Sequence, residues 1–170
     1  MNKVEMFFDY ACPFCWRAFK SLYELLPEYP QIEMIWHLCE AHPRPEEGFG
    51  LHSDLVIEGM FFAKDSGLDI LAYHKQAFSL MHVEKVNVED IETLVLALSD
   101  FADPSGLRRA LEAGRYRQMR EEANDFAYQE SGVWVIPDFR AGEHKLVAEA
   151  GVGVTAEQLR AFLHAVNTGQ

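Results

Sequence analysis

Basic residues are scarce in this chain. Fifteen Lys and Arg stand against 27 Asp and Glu, for a formal net charge of −12. An acidic surface repels phosphate backbones and anionic lipid, so nucleic-acid and membrane-surface partners are disfavoured; the plain reading of the charge is solubility. Long apolar runs are missing too, and none approaches the ~20 residues a membrane span needs. Nor does the N-terminus read as an export signal: Met1-Asn2-Lys3 runs straight into a strand-like segment interrupted by Glu5 and Asp9. A cytoplasmic location is the expectation. Three cysteines are too few for a structural disulfide framework. Seven histidines show no ligand spacing, and no second Cys-x-x-Cys or His-x-x-x-His accompanies the one cysteine pair, so no metal is expected. Repeats and low-complexity tracts are absent. What remains is 170 residues, 49% of them hydrophobic, which suits one domain or one domain carrying an insertion.

Within that chain the chemistry gathers at Phe7-Phe8-Asp9-Tyr10-Ala11-Cys12-Pro13-Phe14-Cys15-Trp16. An apolar run from Val4 to Phe8 leads in, and Ala18, Phe19, Leu22, Leu25 and Leu26 lead out at helical spacing. Cys12 is therefore expected where a strand ends and a helix begins. Free N–H groups and the helix dipole favour a thiolate there and pull its pKa below the free value of ~8.5. Cys15, one turn further in, is expected to be more covered and less ionised, and Pro13 is tolerated in a first turn. Half a zinc site and inert packing are the competing readings; the strand–turn–helix setting favours redox chemistry.

The rest of the chain reads as βαβ, a helical block, then ββα. Ile32 to Cys39 forms a second strand, parallel to the first. His42 to Gly48 is a loop. From about His52 to Glu130 the texture is helical, with Ser53, Asp69, Asp90 and Asp103 as helix starts and Gly67 and Gly114 as stops. Val133 to Phe139 is a β-type run, joined to a strand from His144 to Ala148 by a turn at Ala141-Gly142-Glu143. Thr155 and Gln158 form a capping box for a last helix. The fold class is α/β with a helical insertion.

The Cys-Pro-Phe-Cys stretch resembles the redox signature of the DsbA-like proteins of the thioredoxin superfamily, in the style of the FrnE-like branch with its Asp-x-x-Cys-Pro-x-Cys pattern. The resemblance covers nearly the whole chain. It implies a thioredoxin fold with an inserted all-helical domain: residues 1–48 and 132–170 as the thioredoxin-like unit, 49–131 as the insertion. It further implies Cys12 as nucleophile, Cys15 as resolving thiol, Pro137 as a cis-proline facing them, and Ile136, with Pro13 and Phe14, as the substrate-binding surface. Two departures, Phe14 where relatives often have His and Met6 where many have an acid, imply a less extreme thiolate and a less oxidising couple. Asp9 reads equally well as a helper near the sulfurs and as a turn cap. Tyr10 and Trp16 read as groove flanks or as core.

Three functions follow as expectations. The first is a thiol–disulfide oxidoreductase acting on a protein or small-molecule thiol or disulfide substrate, with no organic cofactor and glutathione as the one conceivable co-substrate. The second is a glutathione-dependent or polyketide isomerase on the same fold, of the 2-hydroxychromene-2-carboxylate isomerase type; retention of both Cys12 and Cys15 favours the first. The third is a peptide-binding, chaperone-like module. Met60-Phe61-Phe62, Phe78 and Met81 read as core or as a groove over the cysteines, and Cys39 reads as a buried structural cysteine rather than a reactive partner of His37. The sequence leaves the oligomeric state open.

Overall fold

A computed structural model describes residues 2–169. Its centre is a four-stranded sheet in the order β2-β1-β3-β4. Strand β1 (Asn2–Phe8) pairs in parallel with β2 (Ile32–Leu38), from Asn2 opposite Ile32 to Phe8 opposite Leu38. The crossover between these parallel strands is supplied by α1 (Pro13–Leu25). Because β1 is interior to the sheet, Val4, Met6, Phe7 and Phe8 are all buried. That accounts for the apolar character of both faces at its end.

On the other side β1 pairs antiparallel with β3 (Asp138–Ala141), and β3 with β4 (His144–Val147). Gly142, at φ +57°, makes the left-handed turn of this hairpin. The β-type run expected from Val133 is shorter in the structure: pairing begins only at Asp138. Pro137 has no N–H for a ladder, and Val133 is spent in a small cluster with Phe7, Cys39 and Ala127 instead of alternating across a sheet.

Between β2 and β3 lie five helices: α2 (Asp54–Asp65), α3 (Ile70–His82), α4 (Ile91–Ala97), α5 (Pro104–Glu112) and α6 (Arg117–Asp125). The side chains of Asp69, Asp90 and Asp103 accept N–H bonds from Ala72, Thr93 and Gly106, so these three caps act as their residue types dictate. Helix α6 runs on into a wider π-type turn, Phe126–Glu130. The final helix, α7 (Ala156–Thr168), opens on the Thr155/Gln158 capping box and buries Leu159, Phe162, Leu163 and Val166 against the sheet side. Each such side chain contributes about 1.5–3 kcal/mol.

One apolar core runs through sheet and helical block alike. Phe8 and Tyr10, at the end of β1, pack with Phe19 of α1 and with His74 and Phe78 of α3. Two polar contacts reinforce this: the Tyr10 hydroxyl meets His74 Nδ1 at 2.7 Å, and His82 Nε2 lies 2.6 Å from the Tyr10 carbonyl oxygen. The turn after β1 is thereby held by α3 at both its side chain and its backbone.

Candidate active site

Helix α1 starts directly after Cys12. Pro13 is its first residue and Cys12 its N-cap. Cys12 has extended backbone, φ −81° and ψ 117°, and its sulfur takes the place of a capping oxygen by accepting the Cys15 N–H at 3.4 Å. Its carbonyl receives the Trp16 N–H at 3.1 Å.

The two sulfurs sit in unlike surroundings. Cys12 is part-exposed and Cys15 is buried; both are thiols. The Cys12 pKa is lowered, first by the hydrogen bond from the Cys15 thiol and then by the N–H groups of Cys15 and Phe14, while burial and the Asp9 charge oppose the shift. Cys15 is pushed well above the ordinary thiol value by burial and by its neighbour's sulfur. The arrangement localises negative charge on the outer sulfur.

Asp9 is 2% exposed and ties three segments together. Its Oδ1 accepts the Ala11 N–H at 2.9 Å and the Ser53 hydroxyl at 2.5 Å; its Oδ2 accepts the Ala41 N–H at 2.8 Å. Burial raises its pKa against those three donors. Asp9 is thus a turn cap, and its charge lies close enough to raise both thiols. Ser53 sits at the start of α2 as expected but makes no side-chain cap there. Its hydroxyl is spent on Asp9.

A cavity of about 240 Å³ opens beside Cys12, lined by Asp9, Phe14 and Ser53 and walled by the 41–53 segment with His42, Phe49, Leu51 and His52. The His42 and Phe49 rings stack with centroids 3.6 Å apart. Phe14 is backed by the Arg17 guanidinium, 5.1 Å from its ring centroid, and by Gly153. An added Cβ at Gly153 would stand 3.0 Å from the Phe14 ring, so only glycine admits this approach. Pro13 is exposed at the cavity rim.

Pro137 lies buried at the start of β3, following a cis peptide bond from Ile136. Asp138 pairs with Phe7, and β3 runs opposite to β1, so Pro137 falls at the Cys12 end of the sheet. Ile136 lines a second cavity of about 470 Å³ together with Tyr128 and Trp134. Ala41 and His42 line both cavities and form the ridge between them.

Other expected residues fall elsewhere. Met60 and Phe61 face a separate cavity with Trp36 and Phe126. Phe62 and Phe78 are buried, and Met81 packs on the core, so this group does not roof the cysteines. Trp16 stacks on His82 at 5.2 Å, and Tyr10 is fully buried. Cys39 is buried with its pKa pushed up to about 12 by burial, while the neighbouring His37 pairs with Glu5 at 2.9 Å. That residues 41–53 wall this cavity, and that the 93%-exposed Trp134 lines the second one, is not legible from the sequence.

Residues 3–56 match the DSBA-like thioredoxin domain family. A sequence relative, the uncharacterized protein YwbO of Bacillus subtilis, is 25% identical, covering 89% of this chain and 92% of its own. Among solved structures, a probable DsbA oxidoreductase from Streptomyces coelicolor superposes with TM-score 0.81 at 14% identity, over 100% of this chain and 91% of that one. The cytosolic disulfide reductase DsbM of Pseudomonas aeruginosa, solved with GSH, gives 0.70 at 15% identity over 96% and 98%. A 2-hydroxychromene-2-carboxylate isomerase gives 0.73 at 14% over 98% and 95%. Residues 3–56 are thus similar to the DSBA-like thioredoxin domain family, and the chain along its whole length has the fold shared by DsbA-type oxidoreductases and this isomerase.

Proposed function

We propose that the protein is a thiol–disulfide oxidoreductase in which Cys12 attacks and Cys15 resolves. The observation that carries this reading is the asymmetry of the pair: a part-exposed N-cap sulfur with lowered pKa opening on a cavity, and a buried partner with raised pKa one turn inside. In the reducing direction the Cys12 thiolate attacks one sulfur of a substrate disulfide. A Cys12–substrate disulfide forms and the other substrate thiolate leaves. Cys15 loses its proton and attacks the Cys12 sulfur; the Cys12–Cys15 disulfide forms and the second substrate thiolate leaves. Two electrons pass from the cysteine pair to the substrate. An external thiol, for which glutathione is the proposed small-molecule donor, returns them by the reverse exchanges.

Pro137 and Ile136 flank this chemistry in the proposal. Ile136 offers its backbone to an extended substrate strand, and Pro13 and Phe14 contact it from the helix start. Residues 1–48 and 132–170 serve as the thioredoxin-like unit and 49–131 as the insertion. A reducing cytoplasmic setting suits a transient pair, and no organic cofactor or metal takes part in the scheme.

Insulin reduction tests it. Cys12→Ser is expected to abolish turnover, and Cys15→Ser to accumulate a mixed disulfide at Cys12 visible by non-reducing mass analysis. Undiminished turnover in Cys12→Ser sinks the proposal. In reduced wild-type protein, alkylation is expected at Cys12 first, with a pH midpoint below that of an ordinary thiol, while Cys15 and Cys39 stay protected. The isomerase neighbour favours one second reading, a glutathione-dependent isomerase. Glutathione binding with isomerisation that survives Cys15→Ala selects that reading.

A further inference from the structure

One histidine in the wall of the Cys12 cavity has both ring nitrogens aimed at acceptors. His52 Nδ1 lies 2.7 Å from Glu89 Oε1, and Nε2 lies 2.5 Å from the Glu46 carbonyl oxygen. Neither a carboxylate nor a carbonyl oxygen has a proton to give. Both nitrogens must donate, and only an imidazolium carries two N–H groups. The same Glu89 oxygen takes an Arg44 NH group at 2.8 Å, and Arg44 Nε lies 2.8 Å from Asp54 Oδ2. Two cations therefore face two carboxylates, and the charges balance only while His52 is protonated.

The groups around this ring come from every neighbouring segment. Arg44 and Glu46 belong to the loop after β2, Asp54 to the start of α2, and Glu89 to the segment before α4. His42 meets Glu46 Oε2 at 3.0 Å on the same wall, and Asp9 lies behind Ser53. The Glu89 carboxylate and the Glu46 carbonyl raise the His52 pKa; burial and Arg44 oppose them and lose.

We propose that His52 is a positioning residue that, as an imidazolium, holds the 42–52 wall against the Cys12 cavity, and that loss of its proton releases the wall. A neutral ring keeps one donor. The charge-assisted bond to Glu89 is the stronger of the two, so the contact with the Glu46 carbonyl is the one that becomes lone pair against lone pair. Phe49 and Leu51 lie between Glu46 and His52 in the chain and line the cavity. A pKa raised on folding contributes stability that is complete below the unfolded value, about 6.5, and is lost as pH climbs through the folded one. The wall is therefore held in mild acid and loosens as pH climbs through the folded value.

The test is an NMR titration of the His52 ring in the full-length protein, run beside amide exchange of residues 42–52 with the intrinsic pH dependence divided out. Both ring nitrogens are expected to carry protons at about pH 6, with a midpoint above 6.5. A several-fold rise in exchange, confined to 42–52, is expected to follow the same titration. Glu89→Gln is expected to lower the midpoint and move the opening to lower pH, and His52→Asn to leave the wall open throughout. A ring with a single proton in mild acid overturns the proposal, as does exchange in wild-type protein that ignores the ring's titration. Neither measurement reads disulfide exchange, so this inference and the redox assignment stand or fall separately.

Discussion

At the residue scale, Asp9 does two things that pull against each other. Its carboxylate joins Ala11, Ala41 and Ser53 into one unit, and its charge raises the pKa of both thiols. Asp9→Ala would strand two N–H groups and a hydroxyl among buried neighbours. Such groups cost about 1–3 kcal/mol each when unmet, so a loss of about 2–4 kcal/mol in a urea melt is expected after partial relaxation. Asp9→Asn keeps the shape and removes the charge, while turning its NH2 toward one of the two N–H groups the carboxylate accepts. The Cys12 thiolate, followed by its ultraviolet absorbance, is then expected to form at lower pH than in the wild type; an unchanged midpoint would mean that the charge does not reach the sulfur. The sequence shows why Asp9 matters to the turn, because an Asp two residues before an N–H it can accept is a local signal. Its bonds to Ala41 and Ser53 span more than thirty residues, and no spacing rule reaches that far. The same distance hid the contact of His52 with Glu89, and its contact with the Glu46 carbonyl, six residues away, exists only after the loop has folded back.

Among the elements, those with short-range signatures were legible and those defined by packing were not. Asp69, Asp90, Asp103 and Thr155 mark helix starts because a cap is settled within three residues. The stretch before Asp138 is rich in β-formers yet irregular, because Val133 and Ile136 face clusters formed with Phe7 and Cys39. Helix α2 holds a packing constraint of the same kind. Gly59 sits in the helix without unusual backbone, so alanine there gains about 1 kcal/mol of helix propensity. An added Cβ, however, would stand 2.4 Å from the hydroxyl of Tyr73 on α3, which donates to the Val56 carbonyl at 2.7 Å. Overpacking costs about 1–3 kcal/mol, so Gly59→Ala is expected to be a net loss. The next atom of Tyr73 is 3.5 Å away, an ordinary contact. Tyr73→Phe, itself mildly destabilising, is therefore expected to rescue Gly59→Ala, and a double-mutant cycle measures the coupling. Additive losses would place the strain elsewhere.

Across the whole molecule, the sheet and the helical block are joined by a buried ionic knot at the end of β2. Arg120 of α6 reaches Glu40 at 2.7 Å and Glu58 of α2 at 3.0 Å, with both carboxylate side chains under 5% exposed. Asn124 donates to the same Glu40 oxygen at 2.7 Å, and the Tyr128 hydroxyl donates to the Glu40 carbonyl at 2.7 Å. Next to Glu40 stands Ala41, whose N–H holds Asp9, so the knot continues into the turn that presents Cys12. Removing the cation by Arg120→Met leaves two carboxylates in a poor solvent for charge, at a cost of about 3–5 kcal/mol. The sign of its pH dependence follows from Glu58. Burial already raises that carboxyl, and Arg120 is the chief force lowering it. Without Arg120 it rises further above the unfolded value of about 4.3, which penalises folding at high pH and relents as the group is protonated. The deficit of Arg120→Met relative to wild type is therefore expected to be largest near pH 8 and to shrink steadily toward pH 5 in parallel urea titrations. A deficit that stayed flat would assign Arg120's role to the packing of its aliphatic stem, and the junction between sheet and helices would then be apolar rather than ionic.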